Sequence, residues 1–260
     1  MLSILYQDEH IVAIDKPSGL LVHRSLIDKR ETRFALQTTR DQIGQYVYPV
    51  HRLDKPTSGV LVMALSPEIA TKLTQQFSQK QITKKYMALV RGHTSGEGII
   101  DYALKEELDK MTDRNAQQDK PAQEAITHYK TLWQGEIAQP VGRYPTARYS
   151  LVSLTPETGR KHQIRRHMKH IFHPIVGDTT HGDGKHNAMF RERFGLSRLL
   201  LVAKELNLEH PVTGKPIKLA ASLGDEFERV LSGLGCSDFE KRCKSLTVHQ
   251  PYEIPKFVKS

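Results

Sequence analysis

The sequence predicts an α+β fold, with a mixed, mainly antiparallel central sheet and flanking helices. Three observations carry that expectation. Short β-branched, aromatic and apolar runs recur from residue 4 to residue 219, turn-forming residues separate them, and helical periodicity is confined to a few segments. No internal repeat or low-complexity block interrupts this pattern.

In chain order, Ile4-Leu5-Tyr6 and Ile11-Val12-Ala13-Ile14 predict two strands, and Pro17-Ser18-Gly19 turns the chain into Leu20-Leu21-Val22. Tyr46-Val47-Tyr48 and Val60-Leu61-Val62-Met63 predict strands on either side of a polar loop, residues 51–59. Ser66, Pro67 and Glu68 supply an N-cap, a first-position proline and an early acid, and Ile69, Leu73 and Phe77 form the buried face of a helix. Tyr86-Met87-Ala88-Leu89-Val90 predicts a strand. Residues 101–124 are charged, glutamine-rich and aperiodic, as expected of a surface insertion.

Strands are expected at 125–133 and 147–154, then a turn at Pro156-Glu157-Thr158-Gly159 and a helix over 161–172 that Pro174 stops. Leu199-Leu200-Leu201-Val202 and Lys215-Pro216-Ile217-Lys218-Leu219 predict a strand pair, and Ser222 with Asp225 caps a last helix. Residues 1–235 are read as one catalytic domain and 236–260 as a polar C-terminal tail.

Lysine and arginine outnumber aspartate and glutamate 38 to 29, and the net charge of +9 favours a polyanionic partner such as nucleic acid. Cys236 and Cys243 lack the second pair that a zinc ribbon or disulfide framework needs. Acidic residues follow the N-terminus too soon for a secretory leader, and no apolar run approaches the roughly 20 residues of a membrane span, so the cytoplasm is expected.

Three constellations carry chemistry. In the loop His51-Arg52-Leu53-Asp54-Lys55-Pro56-Thr57-Ser58-Gly59 one carboxylate stands among cations and hydroxyls, although the same composition suits an ordinary turn. Lys84-Lys85-Tyr86 opens a strand whose phenol offers a stacking face and a hydroxyl, although an aromatic there also suits a core. In Gly159-Arg160-Lys161-His162-Gln163-Ile164-Arg165-Arg166-His167 the helical wheel puts Arg165 beside the apolar stripe of Ile164, Met168 and Ile171, while Arg166 and His170 point away. His167, His170 and His173 recur every third residue but have no acidic companion and several cationic neighbours, so no metal site is expected.

Together these motifs resemble the pseudouridine synthase family that modifies ribosomal and transfer RNA. His-Arg-Leu-Asp-x-x-Thr-Ser-Gly is matched without a gap at residues 51–59, and Gly-Arg-x-His-Gln-Ile-Arg-x-His at residues 159–167. The resemblance implies that Asp54 is the catalytic aspartate, that Tyr86 is the active-site tyrosine, and that Arg165 pairs with Asp54. It also implies that Arg52 helps to hold the target nucleotide out of its helix. Arg160, Lys161, Arg166 and Lys169 are expected to meet RNA phosphates.

A carboxylate needs placement more than activation, and the motif offers one where a hydrolytic glycosidase normally uses two. An isomerisation that retains uracil, excludes water and requires no cofactor fits that count. Attack on ribose C1′, proton abstraction to a glycal and addition to the pyrimidine ring all remain open. Narrower runs, Lys105-Glu106-Glu107-Leu108-Asp109-Lys110, residues 142–149 and residues 177–183, resemble members that modify the uridine of tRNA position 65. The expected partner is therefore tRNA, met by a monomer without an added N-terminal RNA-binding module. Ribosomal RNA and non-catalytic RNA binding are the alternatives. Two departures from the family, His181 for tyrosine and Leu201-Val202-Ala203 for Leu-His-Ala, bear on the substrate.

Overall fold

The computed structural model describes residues 1–24, 31–107 and 120–236. Its strands are β1 (Ser3–Gln7), β2 (Ile11–Lys16), β3 (Tyr48–Pro49), β4 (Ser58–Ala64), β5 (Thr83–Arg91), β6 (Glu97–Asp101), β7 (Ile126–Ile137), β8 (Ala147–Pro156), β9 (Leu201–Glu209) and β10 (Pro216–Ala220). The helices are α1 (Ala35–Ile43), α2 (Pro67–Ser78), α3 (Gln163–His170), α4 (Gly184–Phe194) and α5 (Asp225–Gly233).

The sheet runs in the order β1-β2-β4-β9-β5-β8-β7-β6, with β10 on β9 and β3 on β4. Every pairing is antiparallel except β4 with β9, which is the mixed, mainly antiparallel architecture expected. The parallel contact is short, Ser58 to Val202 and Gly59 to Ala203. Gly59 has φ 114°, and a Cβ there would stand 2.3 Å from the Ala203 carbonyl oxygen, so the close approach admits glycine alone. Ala203 also faces Tyr86 across β5. Gly59, Ala203 and Tyr86 thus form one rung, which brings the loop before β4 alongside the tyrosine.

Several boundaries differ from expectation for local reasons. Helix α1 carries few apolar residues, and its N-cap, Phe34, makes no side-chain cap, so periodicity hardly signals it. Helix α4 buries only Asn187, Met189 and Phe190, but Asp183 accepts from the Lys185 and His186 amides and Gly195 ends it left-handed, both legible end signals. The strand expected at residues 46–48 is the two-residue β3, with Val47 buried beside it. β9 begins later, at Leu201, and runs on to Glu209, where Glu205, Asn207 and Glu209 alternate with the buried Leu206 and Leu208. Asp225 lies in the first turn of α5, and Gly224 is its cap.

At the base of the insertion, Leu104 is buried and bridges Gln123. Cys236, assigned to the tail, is buried against Phe227 and Leu231 in the core, while Cys243 and the rest of the tail lie outside the described residues. Among the described residues no helix is long and apolar enough to cross a membrane.

Candidate active site

Asp54 sits in a turn between β3 and β4, closed by the Thr57 amide donating to the Asp54 carbonyl at 3.0 Å. Two buried groups anchor this loop. Lys16, fully buried at the end of β2, donates to the carbonyls of Pro17, Leu20 and Lys55 at 2.9, 2.8 and 3.2 Å, tying the turn after β2 to the residue that follows Asp54. Burial pushes its ammonium down to about 7. His51 Nε2 accepts from the Val62 amide at 2.9 Å, and its ring stacks on Phe77. Burial, aided by Lys84, pushes His51 down to about 3, so it stays neutral and serves as an acceptor.

Arg165 comes from α3, whose apolar stripe is buried as the wheel required; its side chain is only 4% exposed. Nη1 lies 3.3 Å from Asp54 Oδ2. Its principal partner, however, is Asp178, which receives Nε at 2.7 Å and Nη2 at 2.9 Å. Asp178 also accepts the amides of Thr180 and His181, both at 2.9 Å. The expected pairing with Asp54 is present, as the weaker half of a two-carboxylate clamp. Sequence reasoning missed Asp178 as a site residue although it quoted the run that contains it. Its role depends on α3 folding back against residues 174–182.

Tyr86, half-buried on β5, packs between the cluster of Leu53, Leu61 and Ala203 and that of Ala88, Val90 and Leu201. Burial, and then the nearby Asp54 carboxylate, raise its phenol well above the usual range, so it keeps its proton. Arg52 is exposed on the loop, and Arg160, Lys161 and Lys169 are exposed around α3. Arg160 Nε donates to the Glu124 carbonyl at 3.1 Å, and Lys161 Nζ to the Glu107 carbonyl at 2.8 Å. Arg166 departs from expectation. It is half-buried rather than pointing away, with Nε 3.4 Å from Glu107 Oε1, because the base of the insertion crosses α3 there.

Two motif residues serve the scaffold. Gln163 accepts from the Thr158 hydroxyl and the Arg160 amide and donates to the Ile126 carbonyl and Thr127 hydroxyl. His167 is buried between the Thr127 hydroxyl and the Tyr102 carbonyl, each at 3.0 Å. His173 Nδ1 donates to the Arg91 carbonyl, and His170 stacks on the ring of Tyr102, the residue whose carbonyl His167 also meets. A different set converges: His162 Nε2 is 4.0 Å from Asp54 Oδ2, and its Nδ1 is 3.0 Å from His181 Nε2.

The chain is similar to known proteins over most of its length. A family described as RNA pseudouridylate synthase matches residues 10–170. A Yersinia pestis protein named tRNA pseudouridine synthase C is 56% identical over 237 residues, 91% of this chain and 92% of its own length. A Pectobacterium carotovorum subsp. carotovorum protein of the same name is 56% identical over 235 residues, 90% of this chain, and the chain spans 62% of that relative's length. The solved Human RNA Pseudouridylate Synthase Domain Containing 4 superposes with a TM-score of 0.66 at 27% identity, covering 90% of this chain and 93% of its own. Human RNA Pseudouridylate Synthase Domain Containing 1 shares the fold, with a TM-score of 0.69 at 24% identity and 96% of each chain covered.

Proposed function

We propose that this chain, which belongs to the RNA pseudouridylate synthase family, isomerises one uridine of tRNA to pseudouridine with Asp54 as its catalytic carboxylate. Membership makes it an RNA pseudouridine synthase. The observation that carries the residue assignment is the clamp: Arg165, locked on one edge by Asp178, presents its remaining nitrogen to a partly exposed Asp54 beside Tyr86. In the net reaction the N1–C1′ bond breaks, a C5–C1′ bond forms, N1 gains a proton and C5 loses one. Asp54 acts at the sugar, as nucleophile on C1′ or as base toward a glycal, and both routes use the carboxylate that Arg165 orients.

Tyr86 offers its ring to the uracil, and a phenol that keeps its proton donates a hydrogen bond without adding charge near Asp54. Exposing a stacked nucleotide costs a few kcal/mol. Contacts from Arg160, Lys161 and Lys169 to phosphates offset that cost, and Arg52 fills the vacated place. Arg166 joins them once Glu107 releases it. The isomerisation itself draws on no cofactor; the enzyme works as a monomer in the cytoplasm, with residues 1–235 as its catalytic unit.

The target is the uridine at tRNA position 65: likeness to relatives named tRNA pseudouridine synthase C supports a tRNA substrate, and the position rests on the resemblance of residues 105–110, 142–149 and 177–183. Deleting the gene and mapping pseudouridine in all stable RNA should erase one site, in the T-arm of a few tRNAs. Loss from ribosomal RNA instead would move the substrate. An unchanged map, with no modification of any tRNA transcript by purified protein, would overturn the reading.

A further inference from the structure

Three Lewis-basic atoms from separate stretches of chain converge beside Asp54. His162 Nδ1 and His181 Nε2 are 3.0 Å apart, and Glu107 Oε2 lies 3.7 Å from the first and 3.9 Å from the second. Tetrahedral ligands held about 2.0–2.2 Å from a zinc ion stand about 3.4 Å from one another. The triangle is already near that size, and an ion would replace the proton that the two imidazoles share in their hydrogen bond.

We propose that Glu107, His162 and His181 bind a divalent ion of the zinc class at the mouth of the active site, and that the ion inhibits the enzyme. Two imidazole nitrogens and one carboxylate oxygen suit a borderline ion, whereas magnesium would demand more oxygen donors.

The three ligands are also oriented from outside. Glu107 turns Oε1 to Arg166, which leaves Oε2 for the ion. The His181 backbone is fixed on Asp178 through its amide, and the other ring nitrogen of His162, Nε2, lies 4.0 Å from Asp54 Oδ2. His162 holds a left-handed backbone, φ 56°, at the start of α3, strain that aims its ring at His181. Arg165, Arg166 and Lys169 oppose a dication, and Glu107, Asp54 and Asp178 favour it.

Inhibition follows from where the site sits. An ion there fastens Glu107 onto α3, where its carbonyl already engages Lys161 and its carboxylate Arg166, two of the cations assigned to phosphates. It also sets a double positive charge beside the imidazole that faces Asp54.

The test uses tag-free, chelator-treated protein titrated with cobalt(II). One equivalent should produce the intense visible absorption of a four-coordinate site, and Glu107→Ala and His181→Ala should each weaken binding by at least about tenfold. His170→Ala should leave the spectrum unchanged. Zinc should slow pseudouridine formation on a tRNA transcript, and EDTA should restore it. No absorption, or absorption indifferent to both substitutions, would overturn the site; tight binding with unaltered turnover would overturn its inhibitory role. The spectroscopic readout holds whether or not tRNA proves to be the substrate.

Discussion

Asp54 and Asp178 flank the same guanidinium, yet their surroundings differ in almost every respect. Asp178 is 1% exposed and accepts two Arg165 nitrogens and two backbone amides. Burial alone would raise its carboxyl, but those four donors hold it below the usual range. Asp54 is 22% exposed and takes one longer contact, 3.3 Å, from Arg165. A carboxylate held by four donors can orient a neighbour, and one with a single longer contact can meet a substrate. Identical chemistry is thus divided by the number of donors around each group: Asp178 supports Arg165, and Asp54 keeps the exposure that its proposed role needs.

The sharpest way to break this contrast is to neutralise each carboxylate in turn. Asp54→Asn should lower pseudouridine formation by at least about a thousandfold, with melting temperature and tRNA affinity close to wild type. Substantial product would remove Asp54 from the chemistry. Asp178→Asn should instead destabilise the fold by about 3–5 kcal/mol, because a buried guanidinium loses its charged partner, and activity should fall with it. A normal denaturation midpoint in that variant would erase the distinction between the two aspartates.

A smaller effect separates the loop's anchor, His51, from Asp54. His51 is neutral when folded, with its value pushed from 6.5 down to about 3. Below about pH 6.5 the unfolded chain gains a proton that the folded chain refuses, so stability is full above that pH and falls as pH drops. Between pH 6.5 and 5 the loss from this group is at most about 2 kcal/mol. Denaturant titrations of His51→Gln, which keeps an acceptor for Val62, should have a correspondingly flatter pH dependence; an unchanged slope would mean that His51 is not the source.

The smallest expected effect is electrostatic. Arg160→Ala should reduce the slope of log affinity for tRNA against log salt by about 1, the signature of one lost phosphate contact. An unaltered slope would leave Arg160 with its Glu124 carbonyl and no part in RNA binding.

Much of the site was legible because its motifs are local. Residues 51–59 and 159–167 are continuous, and the amphipathic stripe of α3 alone directs Arg165 inward. Lys16 was not legible: an isolated lysine at a strand end carries no sign that three carbonyls will surround it. The same holds for Glu107, whose neighbours His162 and His181 are 55 and 74 positions away in the chain.

By itself the sequence determined the α+β class, most strands and the three helices α2, α3 and α5, and it marked the loop 51–59 that is proposed to react. Those features depend on side-chain periodicity and turn chemistry, which act over a few residues. Only the tertiary structure decided that Asp178 shares Arg165 with Asp54 and that Gly59, Ala203 and Tyr86 lie in one rung. It also turned Arg166 toward the insertion. Each of those arrangements is set by strand order and by a helix folding back on a distant loop, and contacts between remote stretches leave no period in the chain that makes them.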